Sequence, residues 1–117
     1  MFDRHGLRAF LPNIDGGKAG GAHLISRKTV DLMTSDHLSE IGPDQGFGLG
    51  FGVDGVKAPL EELGSPGEYN WGGFFYTAFP VDPKEQMITI FMAQLHPAGD
   101  LTLDRLVHVL AYQAIVD

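Results

Sequence analysis

The chain contains no cysteine, which excludes disulfides, a thiol nucleophile and cysteine-ligated zinc. Basic residues are also scarce: 8 Lys and Arg stand against 15 Asp and Glu, a net charge of −7. Phosphate backbones reward clustered Lys and Arg, so this balance argues against a nucleic-acid partner. No apolar run is long enough to span a bilayer. The segment Met1-Phe2-Asp3-Arg4-His5 also lacks the charged-then-apolar order of a signal peptide. A cytoplasmic setting without membrane contact is expected. The five histidines, at 5, 23, 37, 96 and 108, show no His-x-x-x-His spacing. Surface or capping roles are expected for them, and neither a metal nor another cofactor is implied.

Glycine, by contrast, is plentiful: the 16 glycines are roughly twice the average share. They cluster at 16–21, 42–55 and 64–73, where they punctuate apolar segments as turns and bulges do. At 117 residues the chain has room for a single domain, 1–117, with an irregular segment over 1–25. A short helix is expected from Ser26, a suitable N-cap, with Val30 and Met33 at helical spacing through about Thr34. Residues 46–53 alternate with period two. As one strand, they would put Phe47, Leu49, Phe51 and Val53 on one face and only glycine on the other. Something would then pack against bare backbone.

A second strand is expected from Trp71 to Val81, a turn at Asp82-Pro83-Lys84-Glu85, and a third strand over 86–94. A C-terminal helix over roughly 102–116, capped by Asp100 or Thr102, carries the stripe Leu103, Leu106, Leu110 and Ala114. The reading is α+β: an antiparallel meander of about three strands with a helix packed on one face. Both strand faces are apolar, whereas a half-wet antiparallel sheet alternates with polar residues. One helix covers one face, so the other must meet a second chain or belong to a larger domain.

Chemistry-bearing groups are sparse. No serine has a lysine three residues on, and Leu63-Gly64-Ser65-Pro66-Gly67 is not Gly-x-Ser-x-Gly. Ser35-Asp36-His37 reads as a polar turn at a helix end, because three consecutive residues cannot form a triad on one another. Glu61-Glu62 and Asp82 read as a solvated face, and Asp54-Gly55 as a turn. The aromatic cluster Tyr69, Trp71, Phe74, Phe75 and Tyr76 either lines an apolar pocket or packs as sheet core. Gly72-Gly73 is either a bend in the strand or a wall against which a ligand lies.

Several segments together carry a resemblance. They are Ile25 to Leu38, Gly46 to Val53, Ser65-Pro-Gly-Glu-Tyr-Asn-Trp-Gly-Gly73, Val81-Asp-Pro-Lys-Glu85, Ile90-Phe-Met92 with Gln94-Leu95, and Tyr112-Gln-Ala-Ile-Val116, in that order. The set resembles the C-terminal third of the serine β-lactamase-like hydrolases, in particular the class C β-lactamase relatives that include family VIII carboxylesterases. Trp71-Gly72-Gly73 matches the motif that edges the active site in the esterase-like branch.

The resemblance implies an oxyanion-hole N–H from Phe74 and a substrate-binding wall of Tyr69, Trp71, Gly72 and Gly73. Oxyanion donors stabilise the charge of a tetrahedral intermediate. The family's Ser-x-x-Lys nucleophile and its tyrosine motif have no counterpart in these 117 residues. The expectation is a wall of an ester- or amide-hydrolysing site that is inactive alone. It would be completed by a missing N-terminal portion or a second copy. The alternative is a non-catalytic truncated paralogue that self-associates through its sheet.

Overall fold

The computed structural model describes residues 18–19, 22–38, 41, 46–53 and 63–116. Two short strands, β1 (Lys18–Ala19) and β2 (Ala22–His23), pair antiparallel by themselves. Helix α1 (Arg27–Met33) starts where the sequence predicts, with the Ser26 side chain accepting from the Thr29 amide at 3.1 Å. Its unfavourable basic first turn is offset in part by Arg27, which pairs with Asp31 one turn on. At its end Ser35, Asp36 and His37 form a polar turn, with Ser35 Oγ donating to the Asp31 carbonyl and His37 Nε2 beside that of Leu32.

The principal sheet has five antiparallel strands in chain order: β3 (Gly46–Phe47), β4 (Gly52–Val53), β5 (Tyr69–Gly73), β6 (Thr77–Asp82) and β7 (Met87–Ile88). The α+β class and the meander therefore stand, with two corrections. Residues 46–53 are not one strand. The chain folds back through Gly50, at φ +93°, and pairs Gly46 with Val53 and Phe47 with Gly52. Leu49 is thereby exposed while Phe51 and Val53 are buried. Nor is 71–81 one strand: it breaks at Phe74-Phe75-Tyr76 into a hairpin in which Gly73 opposes Thr77. Tyr76 has φ +63° and its amide donates to the Gly73 carbonyl. This left-handed third residue closes a three-residue hairpin loop. Alternation counts side-chain polarity, and aromatic residues at a turn keep the pattern apolar.

The expectation that something packs against the glycine backbone holds, and the last residue of α1 with the polar turn after it is that partner. The Leu49 amide donates to the Met33 carbonyl, His37 N to the Phe47 carbonyl, and Phe47 N to Asp36 Oδ1. The predicted turn after Asp82 also holds, and the third strand keeps one register from Asp82↔Met87 to Ala78↔Phe91.

Residues directly opposite in a ladder share a face. The row Val53, Tyr69, Val81 and Ile88 crosses four strands, and with Phe51 it makes the core, flanked by Met33 and Phe79. The other face meets helix α2 (Leu103–Gln113), which lies on β6. Its rotation differs from that predicted. Asp104, Val107, His108, Ala111 and Tyr112 are half-buried, while Leu103, Leu106 and Leu110 face outward at 44–54% exposure. The reason lies beneath the helix: Glu68 and Asp82 are both buried there, each 2% exposed. Buried carboxylates without donors are costly, and turning His108 and Tyr112 inward supplies the donors.

Candidate functional site

β4 pairs with β5 only at Tyr69 and Asn70. From Trp71 onward, the β5 edge opposite β6 has no strand partner among the described residues. Mutual bonds between Ala78 and Phe91, and Thr89 N to the Pro80 carbonyl, direct the even residues of β6 toward β7. Its odd residues then bond β5 at Gly73, Trp71 and Tyr69. By the alternation of an antiparallel ladder, Gly72 turns its N–H and C=O to the open edge. Phe74 follows at the mouth of the turn. Trp71 lies edge-on to Phe47 at 5.4 Å, and Phe74 stacks on His96 at 3.9 Å with Phe75 edge-on to both. Trp71, Gly72, Gly73, Phe74 and Phe75 are all exposed.

Tyr69 has another place. It is 1% exposed and packs edge-on to Phe51, and burial pushes its phenol up to about 12. Its side chain belongs to the core. The structure also supplies packing reasons for the glycine pair. Neither residue has a positive φ, but a Cβ on Gly72 would lie 3.2 Å from the Thr77 carbonyl oxygen, and one on Gly73 would overlap the Thr77 hydroxyl.

The hairpin that carries this edge is fastened to α2 by Tyr76. Its hydroxyl accepts from the Leu103 amide at 2.7 Å and lies 2.8 Å from both the Leu101 carbonyl and Asp104 Oδ1, to one of which it donates. Thr102 occupies the N-cap position but makes no side-chain cap, so a tyrosine 27 residues upstream does the capping expected of Asp100 or Thr102. A left-handed tyrosine costs about 1–2 kcal/mol, and the hydroxyl's bonds offset it. Tyr76→Phe is therefore expected to lose about 1–2 kcal/mol, as a lost cap does, read as a lower urea midpoint with unchanged slope.

At the opposite end of β5, beneath α2, lies a buried polar cluster. Tyr112 Oη is 2.5 Å from Glu68 Oε2 and also hydrogen-bonds Asp82 Oδ2, while His108 Nε2 is 2.9 Å from Glu68 Oε1. Asp82 Oδ1 accepts the Lys84 and Glu85 amides at 2.8 and 3.0 Å. Burial alone would raise the Asp82 carboxyl. The hydrogen bonds from Tyr112, the Glu85 amide, Ser65 and the Lys84 amide outweigh it and hold Asp82 below the usual range. The Tyr112 phenol is driven upward by burial, then by its bonds to Asp82 and Glu68. Two sequence expectations are corrected here: Asp82 is not on a solvated face, and His108 is not a surface or capping residue. Glu61, Glu62, Asp54 and Gly55 lie outside the described residues. The cluster escaped sequence reading because its members lie up to 44 residues apart and match no short motif. Among the described residues no group of His and acidic side chains could hold a metal ion, and no helix is long and apolar enough to cross a membrane.

No family model matches the chain. It is 29% identical over 112 residues to Protein Rv1367c of Mycobacterium tuberculosis (strain ATCC 25618 / H37Rv), covering 84% of this chain and 27% of that protein. The same figures hold for Uncharacterized protein MT1414 of strain CDC 1551 / Oshkosh. The chain thus spans about a quarter of the length of these relatives. Among solved structures it is similar to EstCE1, a hydrolase with promiscuous acyltransferase activity, at TM-score 0.66 and 19% identity over 94% of this chain and 29% of that one. It therefore has the fold of part of a hydrolase.

Proposed function

We propose that this chain is the C-terminal part of a serine hydrolase of the β-lactamase and esterase type, supplying one wall of an acyl site. The observation that carries the reading is the open β5 edge from Trp71 to Phe74, on a fold shared with part of a hydrolase. An acyl carbonyl lying along this edge meets the outward N–H and C=O of Gly72, with no Cβ in its path at Gly72 or Gly73. When a nucleophile's oxygen adds to that carbonyl, the charge passes to the carbonyl oxygen, and the Phe74 N–H donates to it. Collapse of the intermediate then breaks the bond to the leaving oxygen or nitrogen, which takes up the proton the base drew from the nucleophile and departs as alcohol or amine. Trp71, Phe74 and Phe75 offer apolar contact to the acyl group. The nucleophile and its base come from other polypeptide, so the chain alone is inert.

A second reading, self-association without catalysis, draws on the outward Leu103, Leu106 and Leu110 and on exposed Ile90 and Met92. One set of samples tests both. The chain alone should neither turn over short-chain p-nitrophenyl esters nor take a fluorophosphonate label on serine. Titration with a short alkylphosphonate, a mimic of the tetrahedral oxyanion, should shift the amide resonances of Gly72, Gly73 and Phe74. Serine labelling with turnover would overturn the absence of a nucleophile, and unmoved amides would overturn the acyl wall. A stable multimer by light scattering with unmoved amides would favour the second reading.

A further inference from the structure

The Thr77 hydroxyl stands where a side chain of Gly73 would begin: a Cβ on Gly73 would overlap it and lie 3.6 Å from the Thr77 Cβ. The two residues are the last pair of the β5–β6 ladder before the hairpin loop, and residues so paired share a face. On that face, the one turned away from α2, Trp71 and Phe79 form the next pair, then Tyr69 and Val81. Thr77 is half-buried, whereas Gly73 is exposed. Among the described residues the Thr77 hydroxyl has no hydrogen-bond partner. A valine would serve the strand equally well, so the hydroxyl adds nothing to the hairpin itself. We propose that Thr77 is a specificity-determining residue of the acyl site. Its hydroxyl bonds a hydroxyl group on the first or second carbon of the acyl chain, so the preferred substrates are α- or β-hydroxyacyl esters or amides.

The inference rests on the acyl-wall reading and names the substrate class for that same wall. With the carbonyl oxygen on the Phe74 N–H, an acyl chain running back along β5 toward Trp71 passes over Gly73. One residue of strand advances about 3.3 Å, the reach of one or two carbon–carbon bonds from the carbonyl carbon. A substituent there comes to the bare Cα of Gly73, beside the Thr77 hydroxyl. Any side chain at position 73 would displace that hydroxyl and fill the same space. Beyond it Trp71, 45% exposed, offers its ring to the remainder of the chain. A hydroxyl both donates and accepts, so two hydroxyls can bond in either sense. A plain alkyl chain in this position would cover the Thr77 hydroxyl and strip its water without replacing the bond, which is unfavourable. A hydroxylated chain replaces the water.

The test titrates the whole chain with matched phosphonates, read at the Gly72, Gly73 and Phe74 amides. Ethylphosphonate is compared with hydroxymethylphosphonate, and propylphosphonate with 2-hydroxyethylphosphonate. Each pair is matched in length and charge, so the chain's net −7 weighs equally on both members. At least one hydroxylated probe should bind about fivefold tighter than its alkyl counterpart, the worth of one neutral hydrogen bond. Thr77→Val should abolish that advantage without weakening the alkyl probe, and Thr77→Ser should retain it. The urea midpoint of Thr77→Val should equal that of wild type, because the hydroxyl bonds no other part of the described chain. The proposal fails if neither hydroxylated probe gains over its alkyl partner, or if the gain survives in Thr77→Val. A lowered midpoint in Thr77→Val would also overturn it, by showing that the hydroxyl is already bonded within the fold. In each of these cases the alkyl probes still move the amides and the acyl wall stands. If no phosphonate moves them, the wall itself falls and the hydroxyacyl inference with it.

Discussion

Alanine at position 48 is expected to destabilise the chain by about 3 kcal/mol, among the larger losses a single added methyl causes. Gly48 is buried, and a Cβ there would overlap the Met33 carbonyl oxygen and come within 3.1 Å of that of Ser35. Both obstacles are backbone, so no side-chain rotation relieves them. The corner must move away from α1, which breaks the bond from Leu49 N to the Met33 carbonyl, worth about 1 kcal/mol net. It also opens the rim over Phe51 and Val53, 3% and 4% exposed. Against a typical total of about 5–15 kcal/mol the loss is severe. Urea denaturation should show a much lower midpoint. Gly73→Ala is the internal comparison: the obstructing Thr77 hydroxyl can turn away, and the cost should stay below about 1 kcal/mol. Equal losses at the two positions would contradict this account.

Asp82→Ala should cost about 3–5 kcal/mol, the usual result of removing one partner from a buried charged network. The substitution orphans the Lys84 and Glu85 amides and takes the acceptor from Tyr112. It should also change the acid response. Asp82 is held below its ordinary range in the folded chain. Its stabilisation is therefore complete above the unfolded value, about 3.9. It is lost as pH falls through the lowered native value, where the folded state must finally take up the proton. The wild type should lose stability over that acid range, and the variant should lose less. Circular dichroism across an acid titration of both proteins reads the difference. A variant as stable as the wild type at neutral pH would show that the cluster does not hold α2.

Local signals were legible wherever neighbours in sequence decide the outcome. Ser26 begins α1 because its side chain caps an amide three residues on. Asp82 followed by proline marks a turn because its carboxylate reaches the next free amides. Strand breaks were not legible. The runs 46–53 and 71–81 read as continuous, since period-two patterning carries no record of where the chain reverses. Tyr76 shows why: a tyrosine in the left-handed region looks like a strand residue until its hydroxyl is seen bound to Leu103.

The sequence by itself determined the class: a cysteine-free, acidic α+β chain with an antiparallel meander and a C-terminal helix. It also singled out the Trp71-Gly72-Gly73 segment, because unusual glycine placement is visible without coordinates. Only the tertiary structure decided which groups meet. It buried Tyr69 in the core while leaving Trp71 to Phe74 on an open edge. It also turned α2 so that polar His108 and Tyr112 face inward while the leucines face out. β4 reaches β5 only at Tyr69 and Asn70, so strand pairing sets the first outcome; the second has an electrostatic reason. Hydrophobic periodicity ranks faces by apolar content, but two carboxylates buried side by side at one end of the paired β5 and β6 require donors, and that requirement set the helix's orientation.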